Sequence, residues 1–220
     1  MNKIISILLT LALSFGSGGC SDKEKAENKE NGSLPESQAQ SAAQENSSVL
    51  IAYFSRAGEN YGVGTVEKGN TRILAEVIES SLDNADMFEI ASVNPYPDNY
   101  DEATEIARQE QKENARPELT GSVENFDKYD TVFIGYPIWY SDMPMPVYTF
   151  LESYDFTGKT VVPFCTHAGS GLASTVQTLE NILDGATVLP GLAVKGVDAQ
   201  NNEQQVDKTV KAWLNEMNFN

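Results

Sequence analysis

The sequence predicts an α/β domain built on a parallel sheet of five strands, with helices on both faces. Apolar runs recur along residues 48–220, and they are nearly continuous rather than alternating with polar residues. Continuous apolar runs are typical of strands that are buried on both faces. Longer segments with apolar residues at helical spacing separate these runs, and this alternation of strand and helix is typical of a doubly wound parallel sheet.

The predicted strands are short apolar runs bounded by polar or turn-forming residues. Pro163 lies inside the fourth run and Pro190 inside the fifth. Because proline removes one N–H donor from a strand ladder, we expect either bulges at these positions or different strand boundaries. The five runs are residues 49–54, 86–93, 131–135, 160–165 and 187–194.

The predicted helices differ in how clearly their pattern marks them. The first carries Leu74, Ile78 and Leu82 on one face, whereas the second is polar and its helical pattern is weak. Pro146 is compatible with the first turn of the third helix, where its missing N–H costs nothing. The five segments are residues 71–82, 102–114, 146–154, 170–183 and 203–217.

The loop after the first strand predicts an anion site. It begins with Ser-Arg-Ala-Gly at residues 55–58, and the first helix begins with Gly-Asn-Thr at residues 69–71. Free backbone N–H groups and the positive end of the helix dipole point at one place in such a loop. A glycine-rich turn by itself can also be only a turn. The expected phosphate contacts are the hydroxyl groups of Ser55 and Thr71 and the backbone N–H groups of Arg56, Ala57, Asn70 and Thr71.

The third strand leads into a loop that carries two large aromatic side chains. Its residues are Pro137, Ile138, Trp139 and Tyr140. In an open α/β sheet, the loops at the carboxyl ends of the strands gather around the ligand. An anion site beside an aromatic slot suits a phosphorylated planar ring system, and FMN is such a molecule.

The order of these segments resembles the flavodoxin family, in particular flavodoxin-like FMN-binding proteins with an AYFSRxGEN…GNT opening and a GYPIW loop. The resemblance covers residues 48–218. It implies the strand order 2-1-3-4-5 and FMN as the cofactor. In the plainest family pattern the first loop is one short run, whereas residues 59–68 separate its halves here. This insertion either folds over the ligand as a lid or extends into solvent, and Arg56 either pairs with the phosphate or lies at the surface.

The resemblance also assigns the aromatic loop to a position beside the flavin. Pro137 and Ile138 belong to this position, and Trp139 is expected to stack on the isoalloxazine or to lie edge-on to it. Tyr140 either contacts the ring or is exposed at the rim of the site.

The loop after the fourth strand is expected to approach the pyrimidine end of the ring. Small residues with free N–H groups suit that end, where negative charge collects on reduction. His167 is the only histidine of the chain, and it either contacts flavin or substrate or has a structural role. The expected contacts are Thr166, His167, Ala168, Gly169 and Gly171.

The first 47 residues are predicted to lie outside the fold. Residues 1–19 have an apolar core that suits a signal peptide, and Cys20 follows a run of small residues. This pattern predicts a bacterial lipoprotein with lipid on Cys20, although an ordinary secretory signal is the alternative. Residues 20–47 are too polar to form a core and are expected to tether the domain, residues 48–220, to the membrane.

Charge and cysteine content exclude several functions. The formal net charge is −17, and cleavage after Gly19 would remove Lys3 and no acid, which gives −18. A chain this acidic without a basic stripe does not bind nucleic acid. The acidic residues serve either solubility or the lowering of a flavin potential. Cys165 is expected to be a small buried apolar residue, and no histidine or cysteine cluster predicts a metal site.

The function expected from these features is electron transfer by an FMN protein anchored at the bacterial cell envelope. An alternative is an NAD(P)H-dependent FMN reductase that acts on quinones or similar small acceptors, and a second is a surface binding protein without flavin. The partners would be a redox protein or a small donor or acceptor. No residue is assigned a catalytic role, because the redox chemistry belongs to the cofactor.

Overall fold

A parallel sheet forms the centre of the computed structural model, which describes residues 48–219. The strands are β1 Ser48–Tyr53, β2 Gly58–Asn60, β3 Gly64–Val66, β4 Ala85–Glu89, β5 Tyr129–Pro137, β6 Thr160–His167, β7 Thr187–Val188 and β8 Leu192–Lys195. The sheet runs β4-β1-β5-β6-β7, and β8 also pairs with β6. Every pair within it is parallel, which confirms the predicted order 2-1-3-4-5.

Helices cover both faces of this sheet. They are α1 Asn70–Glu79, α2 Tyr100–Glu113, α3 Met145–Glu152, α4 Thr175–Ile182, α5 Gly196–Asn201 and α6 Glu203–Glu216, and residues Phe126–Lys128 form a short 3-10 helix. In β1, Leu50 and Ala52 pack on the side of α3 and α4, whereas Ile51 packs on the side of α1 and α6. Two buried faces explain why the strands read as continuous apolar runs.

The fifth predicted strand is divided into β7 and β8. The interruption lies at Leu189, Pro190 and Gly191, where the prediction of one continuous strand is wrong. Leu189 N–H donates to the Val161 carbonyl oxygen over 2.8 Å. Because alternate residues of a strand point their backbone groups to the same side, Pro163 faces this interruption. The missing N–H of Pro163 therefore costs no strand hydrogen bond, because neither β7 nor β8 pairs with β6 at that position.

Two helices differ from their predicted form. The weakly patterned second segment is a regular helix, α2, whose Asn99 cap accepts a hydrogen bond from Glu102 N–H over 3.0 Å. Its pattern is weak because Ala103 and Ala107 are its buried residues. Helix α4 begins five residues later than predicted, because positive φ angles at Gly171 (61°) and Ala173 (50°) interrupt the chain before it.

The insertion after β1 is an ordered antiparallel hairpin made of β2 and β3. Its base is attached to the loop before α2. The Arg56 guanidinium donates to the carbonyl oxygens of Pro97 (2.7 Å) and Asp98 (3.2 Å), and also to that of Glu59. The Glu59 carboxylate accepts from Tyr100 N–H over 3.0 Å at the start of α2. These bonds hold the hairpin beside α2 at the carboxyl edge of the sheet.

None of the helices in the described residues is long and apolar enough to span a bilayer. The predictions for residues 1–47, including the signal peptide, Cys20 and the tether, lie outside the described residues.

Candidate functional site

A cleft of ≈ 380 Å³ lies at the carboxyl edge of the sheet. Its walls come from the hairpin tip, α2, the start of α1 and the ends of β5, β6 and β8. Nine residues predicted from the sequence line it, namely Arg56, Asn70, Pro137, Ile138, Trp139, Tyr140, Thr166, His167 and Ala168. Five predicted residues are not among its lining residues, namely Ser55, Ala57, Thr71, Gly169 and Gly171.

Ser55 caps the helix that follows the first loop. Its hydroxyl oxygen accepts a hydrogen bond from Arg72 N–H over 3.0 Å, so it satisfies one of the free donors in the first turn of α1. Gly69 occupies the N-cap position, where a Cβ would lie 2.3 Å from Ser55 Oγ. The first-turn N–H groups of Asn70 and Thr71 have no acceptor among the described residues. They are available to an anion.

Thr71 connects the first loop to the third. Its hydroxyl lies 2.8 Å from that of Thr166 at the end of β6, and Thr71 is only 1% exposed. Because this hydroxyl is already paired in the interior, the side chain serves to hold two loops together. The predicted phosphate hydroxyl of Thr71 therefore does not line the cleft in this structure.

The aromatic loop is a tight turn with an unusual backbone. Trp139 and Asp142 exchange backbone hydrogen bonds of 2.9 Å each, and the two residues between them, Tyr140 and Ser141, have φ angles of 49° and 65°. Positive φ at two consecutive residues other than glycine costs on the order of 1–3 kcal/mol each, and such strain is concentrated at functional sites. The turn places Tyr140 at the rim, 50% exposed, with its hydroxyl donating to the Thr104 carbonyl oxygen over 3.0 Å.

Two aromatic side chains pack against the Trp139 indole. The Trp139 ring centre lies 5.3 Å from that of Phe54 and 5.0 Å from that of Tyr96, both with nearly perpendicular planes. The Tyr96 hydroxyl donates to the Glu110 carboxylate, and burial raises the pKa of Glu110. The indole is thus held in place on a wall of the cleft, which suits a residue that contacts a planar ring.

His167 organises the third loop through one ring nitrogen. Its Nδ1 accepts from Gly169 N–H (2.9 Å) and from Gly171 N–H (3.1 Å). Two of the N–H groups expected to face the ring, those of Gly169 and Gly171, are therefore bonded within the loop. A ring that accepts at Nδ1 carries its hydrogen on Nε2, and this N–H becomes the donor of the neutral imidazole. Burial and the charge of Lys195 lower the pKa of His167, against a weaker opposite effect of Asp198.

The hairpin tip around Tyr61 lines the cleft, which agrees with the first of the two alternatives for the insertion. Two parts of the cleft were missed in the sequence, namely the α2 face with Ala103 and Ala107 and the chain from Lys195 to Val197 after the last strand. Ligands gather at the carboxyl ends of strands, and Lys195 is at such an end. The end of the fifth apolar run is not clear in the sequence, so Lys195 was not recognised as a site residue. Cys165 is buried beneath this edge, where burial raises the pKa of its thiol to about 12. Within residues 48–219, no cluster of side chains suits a metal ion.

The strand order and the position of the cleft define a flavodoxin-like α/β protein. Residues 48–217 match the sequence model described as flavodoxin, and the chain belongs to that family. No curated protein matches the chain.

Solved structures agree with this assignment. A protein described as a flavoprotein from Bacteroides eggerthii is 30% identical, with a TM-score of 0.59 and coverage of 77% of this chain and 97% of that chain. One from Bacteroides uniformis is 27% identical, with a TM-score of 0.60 and coverage of 77% and 98%. A flavoprotein from Lactobacillus acidophilus, in complex with FMN, is 25% identical, with a TM-score of 0.54 and coverage of 74% and 97%.

Proposed function

We propose that this protein binds FMN in the cleft and transfers electrons at the bacterial cell envelope. The observation that carries the proposal is the cleft itself, which joins Asn70 at the start of α1 to the Trp139–Tyr140 turn. Family membership and the FMN complex of the Lactobacillus acidophilus relative support it. The envelope location is supported by the predicted lipoprotein signal and Cys20.

The residues of the cleft fit a flavin mononucleotide. The N–H groups of Asn70 and Thr71 would hold the phosphate at the positive end of α1. Gly69 lets the first loop pack closely on the start of α1, because a side chain there would meet both Ser55 Oγ (2.3 Å) and the Arg56 carbonyl oxygen (2.6 Å). Trp139 would contact the ring, and the neutral His167 would offer Nε2–H to an acceptor atom. The bound flavin supplies the redox chemistry, whereas these residues bind and orient it.

The rim of the cleft favours a carrier that meets a protein partner. Tyr140 is half exposed there, and the chain is strongly acidic, so an approaching redox protein could reach the edge of the site and be steered by charge. The hairpin supports the second candidate, an NAD(P)H-dependent reductase of quinones or similar acceptors. The Tyr61 and Tyr100 rings, 6.1 Å apart, form an aromatic wall over the cleft that suits a small planar substrate.

The first experiment is the visible absorption spectrum of the purified protein after reconstitution with micromolar FMN. We expect flavin bands, and the cofactor released on denaturation should be FMN rather than FAD. Absence of binding would leave only the flavin-free alternative. Aerobic oxidation of NADH and NADPH with a quinone then separates the two redox functions, because a carrier without a reductase partner should turn over neither nicotinamide.

A further inference from the structure

We infer that Lys195, at the end of β8, is the cationic side chain that recognises the phosphate of the flavin. It would make the cleft select phosphorylated over unphosphorylated flavin. This inference rests on the proposed binding of FMN, and it concerns a residue that the sequence motifs do not include. Lys195 lies on the wall of the cleft and immediately precedes helix α5.

The other side chains expected at the phosphate are engaged elsewhere. The Ser55 hydroxyl accepts from Arg72 N–H, and the Thr71 hydroxyl is paired with Thr166 in the interior. Arg56 is the other basic residue on the cleft wall, and its guanidinium donates to three backbone carbonyl groups. Within residues 48–219, the side chain of Lys195 makes no hydrogen bond or ion pair, so its ammonium group is available to a ligand.

Helix α5 holds Lys195 next to the start of α1. Gly196 lies so close to Asn70 that a Cβ on it would be 2.5 Å from Asn70 Nδ2. The Gln200 side chain donates from Nε2 to Asn70 Oδ1 and to the Lys68 carbonyl oxygen, over 2.8 Å each. The side-chain acceptor of Asn70, Oδ1, is therefore already bonded to Gln200. The start of α1 and the backbone next to Lys195 are therefore neighbours, and Asn70 and Lys195 both line the cleft.

Charge explains why a cation is useful at this position. The chain as a whole is strongly acidic, and its field opposes the entry of a phosphate dianion. The positive end of α1 is equivalent to about half an elementary charge. Lys195 adds a full charge, and its field is already felt at His167, its register partner on β6. Asp198 is the acid in the first turn of α5, and the ion pairs found among residues 48–219 do not include one between it and Lys195.

The test compares FMN with riboflavin, which lacks the phosphate. We would titrate the purified protein with each flavin by fluorescence quenching, for wild type, Lys195→Gln and Lys195→Arg. Because an exposed ion pair contributes at most about a factor of five in affinity, Lys195→Gln should raise the FMN Kd about twofold to fivefold. Riboflavin affinity should be unchanged, Lys195→Arg should stay close to wild type, and Lys195→Gln should reduce the salt dependence of FMN binding.

A matched control is Lys211→Gln, which removes a surface lysine that pairs with Asp207 on α6. It should change neither affinity. Equal weakening of both flavins by Lys195→Gln, or no effect on FMN, would overturn the inference while FMN binding stands. Wild type that binds FMN and riboflavin equally well would overturn it too. Failure of wild type to bind either flavin would reject the proposed function and this inference together.

Discussion

The imidazole of His167 should make the third loop sensitive to pH. Protonation of Nδ1 removes the acceptor used by Gly169 and Gly171 and places a donor against two donors. The net contribution of one such hydrogen bond is about 0.5–1.5 kcal/mol, and Gly169 is exposed enough for water to replace its partner. We therefore expect acid to destabilise the closed loop by about 1–2 kcal/mol for the two bonds together.

The direction in which pH changes the stability of the loop follows from the lowered pKa of His167. The folded state favours the neutral ring, so the contribution to stability is complete above the ordinary pKa of 6.5 and is lost as pH falls through the lower, folded pKa. Hydrogen exchange of residues 167–173 measures the opening of the loop directly. Between about pH 8 and about pH 5, after correction for intrinsic exchange, protection should decrease, and flavin affinity should decrease with it.

Two variants separate the two ring nitrogens. In His167→Asn, the side-chain oxygen can take the place of Nδ1, so the loop should stay closed and lose its pH dependence over this range. In His167→Gln, the longer side chain places its amide nearer the position of Nε2, so the loop should open at every pH. The reasoning is refuted if wild-type protection is independent of pH, or if His167→Asn shows the same decrease, which would assign the pH dependence to a group other than His167.

Three further changes test other parts of the proposal. Trp139→Ala should weaken the binding of FMN and of riboflavin alike, by about tenfold to a hundredfold, because ring stacking contributes roughly 1–3 kcal/mol. Unchanged affinities in a folded variant would show that the indole only packs against the protein. Gly69→Ala should reduce flavin affinity, because the new Cβ would lie 2.3 Å from Ser55 Oγ, whereas Gly121→Ala, with its nearest contact at 4.0 Å, should leave binding in fluorescence titrations intact. Cys20→Ser should abolish fatty-acid labelling and membrane association of the full chain, and a wild type that stays in the soluble fraction after export would favour ordinary secretion.

The fold could be predicted because the central strands of the sheet are buried on two faces. That arrangement leaves a continuous apolar run in the sequence, and β1, β5 and β6 all show one. The pattern weakens where burial is small. Helix α2 is supported mainly by its cap and two buried alanines, and the fifth run hides an interruption at Pro190, whose carbonyl oxygen accepts from Trp213 Nε1 over 3.1 Å.

The site could be predicted only at the level of its loops. The carboxyl-end rule placed the Trp139 turn and the His167 loop on one edge, and both border the cleft. Which donors are free depends on tertiary neighbours, which spacing does not encode. The Ser55 and Thr71 hydroxyls have the right chemistry for phosphate, yet each has a protein partner 17 or 95 residues away. The side chain of Lys195, by contrast, has no protein partner within residues 48–219 and is therefore available to a ligand.

These partners also connect the walls of the cleft to one another. Thr71 with Thr166 connects the first loop to the third, Gln200 connects α5 to the start of α1, and the Tyr140 hydroxyl connects the aromatic turn to α2. None of these bonds requires a flavin. A ligand that meets a preformed cleft loses little of its binding free energy to ordering the protein. The Trp139–Asp142 pair likewise holds the strained backbone of Tyr140 and Ser141, so the protein's own hydrogen bonds support the aromatic turn.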